Sequence, residues 1–191
     1  HPFGTQFRLD ESTAAFSGFG GPKAMVESSE GGANMLMGIG INTGGYNYRA
    51  VGVKWMANAD SYMNDVKFVG GHGGLWKPKP GVEEPRGRWN RPARISSPDN
   101  PVAASGMDLA WDNQYWSLWV TNNGGGTFKD IWTASTYATN GFYANNTSTP
   151  GRIYAMSIEH HVRNEVRFSK VSNWKVYCMQ TEEESRESTD C

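Results

Sequence analysis

Apolar residues in this chain recur in short β-prone runs cut off by Gly, Asn and Pro, and convincing helical periodicity is scarce. Nine runs read as strands: 34–42, 50–56, 65–69, 115–121, 127–133, 141–144, 152–159, 165–171 and 174–180. Many are short and lack a long polar face, so they suit burial in a closed array better than a set of long hairpins. An all-β fold is therefore expected. The 191 residues are enough for one unit with a continuous core, so 1–191 is read as a single domain. The stretch 77–101 holds six of the nine prolines and several charges. It reads as a long loop, a kind of segment that often carries function.

Charge narrows the range of partners. Eighteen basic and nineteen acidic residues leave a formal net charge of -1, without the clustered basic excess that nucleic acid calls for, so no nucleic-acid partner is expected. No run approaches the length of a transmembrane helix, and no membrane partner is expected either. Charged residues make up 19% of the chain against 13% aromatics and 23 glycines. That balance suits a secreted, extracellular β-protein that handles sugars, and equally an ordinary β-rich core. The sequence begins at His1 without an apolar leader, as a processed protein or a fragment would. Cys178 and Cys191 fit either a short-loop disulfide or two free thiols. Asn145 and Asn146 begin overlapping N-x-[ST] sequons, which matter only in a eukaryotic host.

Internal similarity is visible in DVKFVGG (65–71), TFKDIWT (127–133) and VRFSKVS (166–172). Phe68, Phe128 and Phe168 then fall at spacings compatible with repeated coils of about twenty residues, or with fewer coils carrying long insertions. The segments 34–73 and 118–184 resemble the central coils of the pectate-lyase-like superfamily of polysaccharide lyases and glycoside hydrolases. The resemblance implies a right-handed parallel β-helix, a partial solenoid, with an inner ladder of Val, Ile, Phe and Met. Asn and Gly would take the corners, as in Asn122-Asn123-Gly124 and Gly70-Gly71. It is specific for fold and poorly so for chemistry, because that superfamily also holds epimerases and phage adhesins. Since terminal coils need caps, it further implies a piece of a longer protein, or a second chain completing the β-helix.

The densest functional cluster is Glu159-His160-His161-Val162-Arg163-Asn164-Glu165. Strand alternation would put Glu159 and His161 on one face, with Arg163 and Glu165 beyond. Carboxylates supply acid/base chemistry on sugars, and His or Arg supply proton transfer and charge neutralisation. The same residues fit a polar turn between rungs. Glu182 and Glu183 follow a strand directly and offer further carboxylates, as a solvated tail would. Trp111, Tyr115, Trp116 and Trp119 form an aromatic group that could stack on sugar faces or enter the core, with Asp112 and Gln114 among them to bond hydroxyls. Trp76 and Trp89 flank the Pro-rich loop as exposed platforms. His72 sits in a Gly-rich turn that lacks the Lys-Ser/Thr of a phosphate loop.

The expected function is a carbohydrate-active enzyme cleaving an extracellular polysaccharide or oligosaccharide, as a glycosidase by hydrolysis or as a lyase by β-elimination. A hydrolase would draw two carboxylates from Glu159, Glu165, Glu182 and Glu183. A lyase would use His160, His161 or Arg163 as base. A non-catalytic glycan-binding or structural β-helix segment is the alternative. No cofactor is required by this reading, although Ca²⁺ is compatible with the acidic residues. A third alternative is a copper-dependent lytic polysaccharide monooxygenase, with Cu held by His1 and one of His72, His160 or His161.

Overall fold

The computed structural model describes residues 2–18, 20–69, 114–134, 136–161 and 164–182. These contain strands and no helix. In chain order the strands are β1 (Gln6–Arg8), β2 (Lys23–Glu27), β3 (Met35–Met37), β4 (Gly40–Asn42), β5 (Ala50–Trp55), β6 (Tyr62–Phe68), β7 (Gln114–Val120), β8 (Gly126–Ala134), β9 (Ala138–Thr147), β10 (Gly151–Ile153), β11 (Met156–Glu159), β12 (Asn164–Val171), β13 (Trp174–Val176) and β14 (Met179–Glu182). Every strand pair is parallel. Two sheets result, one of nine strands running along β1-β4-β6-β8-β10-β13 and one of five in the order β12-β9-β7-β5-β2. The chain alternates between them and so winds a β-solenoid of about five turns. The expected all-β parallel solenoid is the fold observed.

Most successive coils are offset by 23 to 27 residues, as between Ser157 and Gln180 or Glu27 and Lys54, while the first step, from Gln6 to Gly40, takes 34. The step from β6 to β8 is longer because 70–113 intervene between β6 and β7. Coils of about twenty residues are therefore corrected in favour of the other arrangement, fewer coils with a long insertion. Phe68 pairs with Thr133, Phe128 with Met63 and Ile153, and Phe168 lies in the other sheet beside Ala144. The three phenylalanines are not equivalent positions.

What aligns the coils is backbone geometry. Gly38, Asp65 and Asp130 occupy the same register position in successive coils and all take positive φ, 65°, 50° and 50°. Gly has no Cβ penalty there, and Asp tolerates the left-handed region because its short side chain can bond locally. A second column at the far end of the five-stranded sheet is made by Asn122, Asn146 and Lys170. With Asn123 also at positive φ, the expected Asn corner is present.

Inside, apolar side chains stack in register. Met63, Phe128 and Ile153 form one ladder, and Val66, Ile131 and Met156 a second. Val53, Leu118 and Phe142 form the facing ladder of the other sheet. Each such side chain contributes about 1.5–3 kcal/mol on burial. Trp55 joins this core because its Nε1 donates to the Gly125 carbonyl at 2.9 Å, so its one polar atom is satisfied. The Pro-rich stretch 77–101 lies outside the described residues, as do Gly70, Gly71 and Cys191. Cys178 is exposed and its thiol is free.

Candidate functional site

Alternation along β8, β11 and β14 decides which side chains leave the core. Ile131 and Thr133, and Met156 and Ile158, point inward and are buried. Trp132, Ser157 and Glu159 between and beyond them therefore face outward, with Ala134 beside Glu159. Parallel register carries this across coils: Lys67 aligns with Trp132, Trp132 with Ser157 and Ser157 with Gln180. One row further along, Ala134 aligns with Glu159 and Glu159 with Glu182.

Glu159 and Glu182 are thus held side by side on neighbouring strands. Like charges placed opposite each other repel, and the pair persists because each carboxylate has a donor. The Ser157 hydroxyl donates to Glu159 Oε1, and its Oγ also lies 3.1 Å from Gln180 Oε1. Gln180 Nε2 donates to Glu182 Oε2 at 3.3 Å. His160 closes the group: its backbone N–H donates to the Glu182 carbonyl at 2.9 Å, and its Nε2 lies 3.5 Å from Glu182 Oε1. One oxygen or nitrogen from each of Glu159, His160 and Glu182 lies within 4.8 Å of the others. Glu159 and His160 are half-buried and Glu182 is exposed, so the cluster is open to solvent. Such a group can exchange protons with a bound molecule, or hold a divalent cation through two carboxylates and an imidazole.

His161 goes the other way. His160 takes φ 61°, which breaks the strand alternation after β11, and His161 turns inward and is buried. The expectation that Glu159 and His161 share a face is therefore corrected. Glu165 accepts from the His161 backbone N–H at 3.0 Å and lies 2.8 Å from Nδ1. With Nδ1 donating to that carboxylate, Nε2 is left as the acceptor for the hydroxyls of Thr133 and Thr136, at 3.0 and 3.2 Å. Ser117 lies 3.0 Å from the Thr136 hydroxyl. The order carboxylate, imidazole, hydroxyl is that of a nucleophile relay, but Thr133 is fully buried and faces the core. The network fixes the corner that presents Glu159 and His160, and Glu165 is occupied by it.

Trp116 is buried, not displayed as a platform. It belongs to the five-stranded sheet, with its ring 4.7 Å from both Trp119 and Tyr143. Lys54 lies over Trp119 and Arg167 over Tyr143 in the same row. This aromatic group is on a different sheet from Glu159 and Glu182. His1, His72, Trp76, Trp89, Trp111, Asp112, Arg163 and Glu183 lie outside the described residues.

Sequence reasoning missed Trp132, Ser157 and Gln180. A signal existed: Ser-Ile-Glu at 157–159 and Gln-Thr-Glu at 180–182 repeat a polar, inward, acidic triplet one coil apart.

Compared with family models, with curated proteins and with solved structures, the chain matches none of them. The fold and the register place it in the general class of parallel β-solenoids.

Proposed function

We propose that this protein is a secreted glycoside hydrolase, cleaving a polysaccharide on the outer flank of the nine-stranded sheet. The observation that carries the reading is the in-register pair Glu159 and Glu182, each anchored through one oxygen by Ser157 or Gln180. Glycosidic cleavage needs a proton delivered to the leaving oxygen and a second carboxylate serving as base or nucleophile, and the approach of Glu159 and Glu182 within 4.8 Å favours the closer, nucleophile-and-acid arrangement over one with a water between them. The Ser157 bond fixes the direction of the Glu159 carboxylate, and Glu182 is held through both oxygens, by Gln180 and by His160, which is the kind of positioning acid/base groups require.

A second reading rests on the convergence of three potential ligand atoms within 4.8 Å. In it, a divalent transition-metal cation held by Glu159, Glu182 and His160 neutralises the carboxylate of a uronate and cleavage proceeds by β-elimination. The products separate the two. Incubation with a panel of neutral and uronate polysaccharides should release new reducing ends on saturated sugars, unaffected by a chelator. Products absorbing in the near ultraviolet and abolished by chelation would establish elimination instead. An intact, folded protein that releases nothing from any glycan would refute both and favour a binding or structural role.

A further inference from the structure

We infer that Trp132 is a sugar-stacking subsite beside the acidic pair, and that the ring it receives belongs to a neutral glycan. This rests on the hydrolase reading for the location of the cleaved bond, but it makes its own claim about binding. Trp132 lies between the inward-facing Ile131 and Thr133, so its indole stands on the outer surface, where it is half-buried. It is in register with Ser157 on the next coil, and its neighbour two residues on, Ala134, is in register with Glu159. Strand spacing and rise put it about 8 Å from Glu159 along the sheet, a span that one disaccharide unit covers.

The indole has a wall. The side of Gly40 that would carry a Cβ is covered by the Pro2 carbonyl, and a Cβ would stand 2.2 Å from that oxygen. The segment at Pro2 therefore crosses the outer face, held by Gln6 Nε2 donating to the Phe3 carbonyl at 3.2 Å. Phe3 meets Trp132 edge-on at 5.5 Å and 67°. This contact braces the indole against the N-terminal segment. Ala134 adds little bulk between the ring and Glu159, and Ser157 and Gln180 offer groups that can bond sugar hydroxyls. Aromatic face, short polar side chains and two carboxylates in one patch suit a pyranose whose apolar C–H face stacks while its hydroxyls bond along the edge.

Charge selects the class of sugar. Lys67, in register with Trp132, is tied to Asp65 at 3.6 Å and to the Asp130 carbonyl at 3.1 Å. Lys129 lies 3.8 Å from Asp130. These pairs cancel, and Glu159 and Glu182 leave the patch acidic. A uronate or a sulfated chain would meet like charge, whereas a neutral chain would not.

Binding can be measured by calorimetry and indole fluorescence on the Glu159→Gln protein, which holds ligand without turnover. The probes are β-1,3- and β-1,4-linked glucose pentasaccharides and a galacturonate pentasaccharide. At least one neutral probe should bind and the uronate more weakly. Trp132→Ala should weaken binding about tenfold or more, the loss expected when a ring contact of about 1.4 kcal/mol goes. Trp132→Phe should stay within about threefold while losing the fluorescence change. Equal binding by the alanine variant, tighter binding of the uronate, or no binding by any probe would overturn the assignment. Trp132-dependent binding by a protein that releases no reducing ends would sink the hydrolase reading and leave this subsite standing. Reducing ends released equally by Trp132→Ala would do the reverse.

Discussion

Gly141 lies within β9, where the corner network meets the core. A Cβ added there would stand 2.2 Å from Ile158 Cγ2 and 2.8 Å from His161 Cε1, against an ordinary contact of 3.4–4 Å. Gly141→Ala therefore forces a displacement of more than an ångström in Ile158, His161 or the strand. Overpacking of this kind costs about 1–3 kcal/mol, while replacing Gly by Ala in a strand returns about 0.5–1 kcal/mol of backbone entropy. The clash should win, with a net loss of about 1–2 kcal/mol and a fall in Tm of roughly 2–8 °C for a chain of this size. Urea denaturation of the wild type, Gly141→Ala, Ile158→Ala and the double variant completes a cycle. Ile158→Ala alone should cost about 2–5 kcal/mol. The double variant should be more stable than the sum predicts by about 1 kcal/mol or more, since the added methyl enters the space the isoleucine leaves. Additivity within about 0.5 kcal/mol, or an unchanged midpoint for Gly141→Ala, would refute the packing described for this corner.

Two further outcomes follow from the same geometry. Asp130→Gly should leave stability level or slightly raised, whereas Asp130→Val should lose about 1–2 kcal/mol, because a β-branched residue is strained at φ 50°; a urea midpoint for valine equal to wild type would show that the left-handed column is not structural. Glu165→Ala should destabilise by about 2–3 kcal/mol by leaving the buried His161 Nδ1 and backbone N–H unpaired. Thr133→Val should cost under about 1.5 kcal/mol, because Thr136 still reaches Nε2; equal losses for the two variants would contradict the network.

The fold class was legible because runs of β-formers separated by Gly and Asn admit few closed arrangements. The register was not. Inward positions are filled by Met, Phe, Ile, Val and Leu interchangeably, so matching Phe68 to Phe128 followed identity, whereas the chain aligns Met63 with Phe128 through the left-handed Asp65 and Asp130. β1 and β2 went unseen because they are short and sit on the outer coil with few buried positions. β9 runs well past the expected 141–144 because Thr139 and Asn140 are buried as hydrogen-bonding residues, to the Tyr115 carbonyl and to Asn164. The site was half legible. Glu159, His160 and Glu182 stood out by residue type, but alternation misassigned His161, since one left-handed residue at 160 reverses the faces after it. Trp132 was invisible until register placed it beside the acids.

The central claim is that Glu159 and Glu182 act as one unit on a bound glycan. Turnover of the best polysaccharide substrate should be measured for the wild type, Glu159→Gln, Glu182→Gln and the double variant, each shown to unfold at the wild-type urea midpoint. Each single substitution should lower kcat by about 10²–10⁴, and the double should lose little more than the worse single. Wild-type rates in either single variant, with the fold intact, would contradict it.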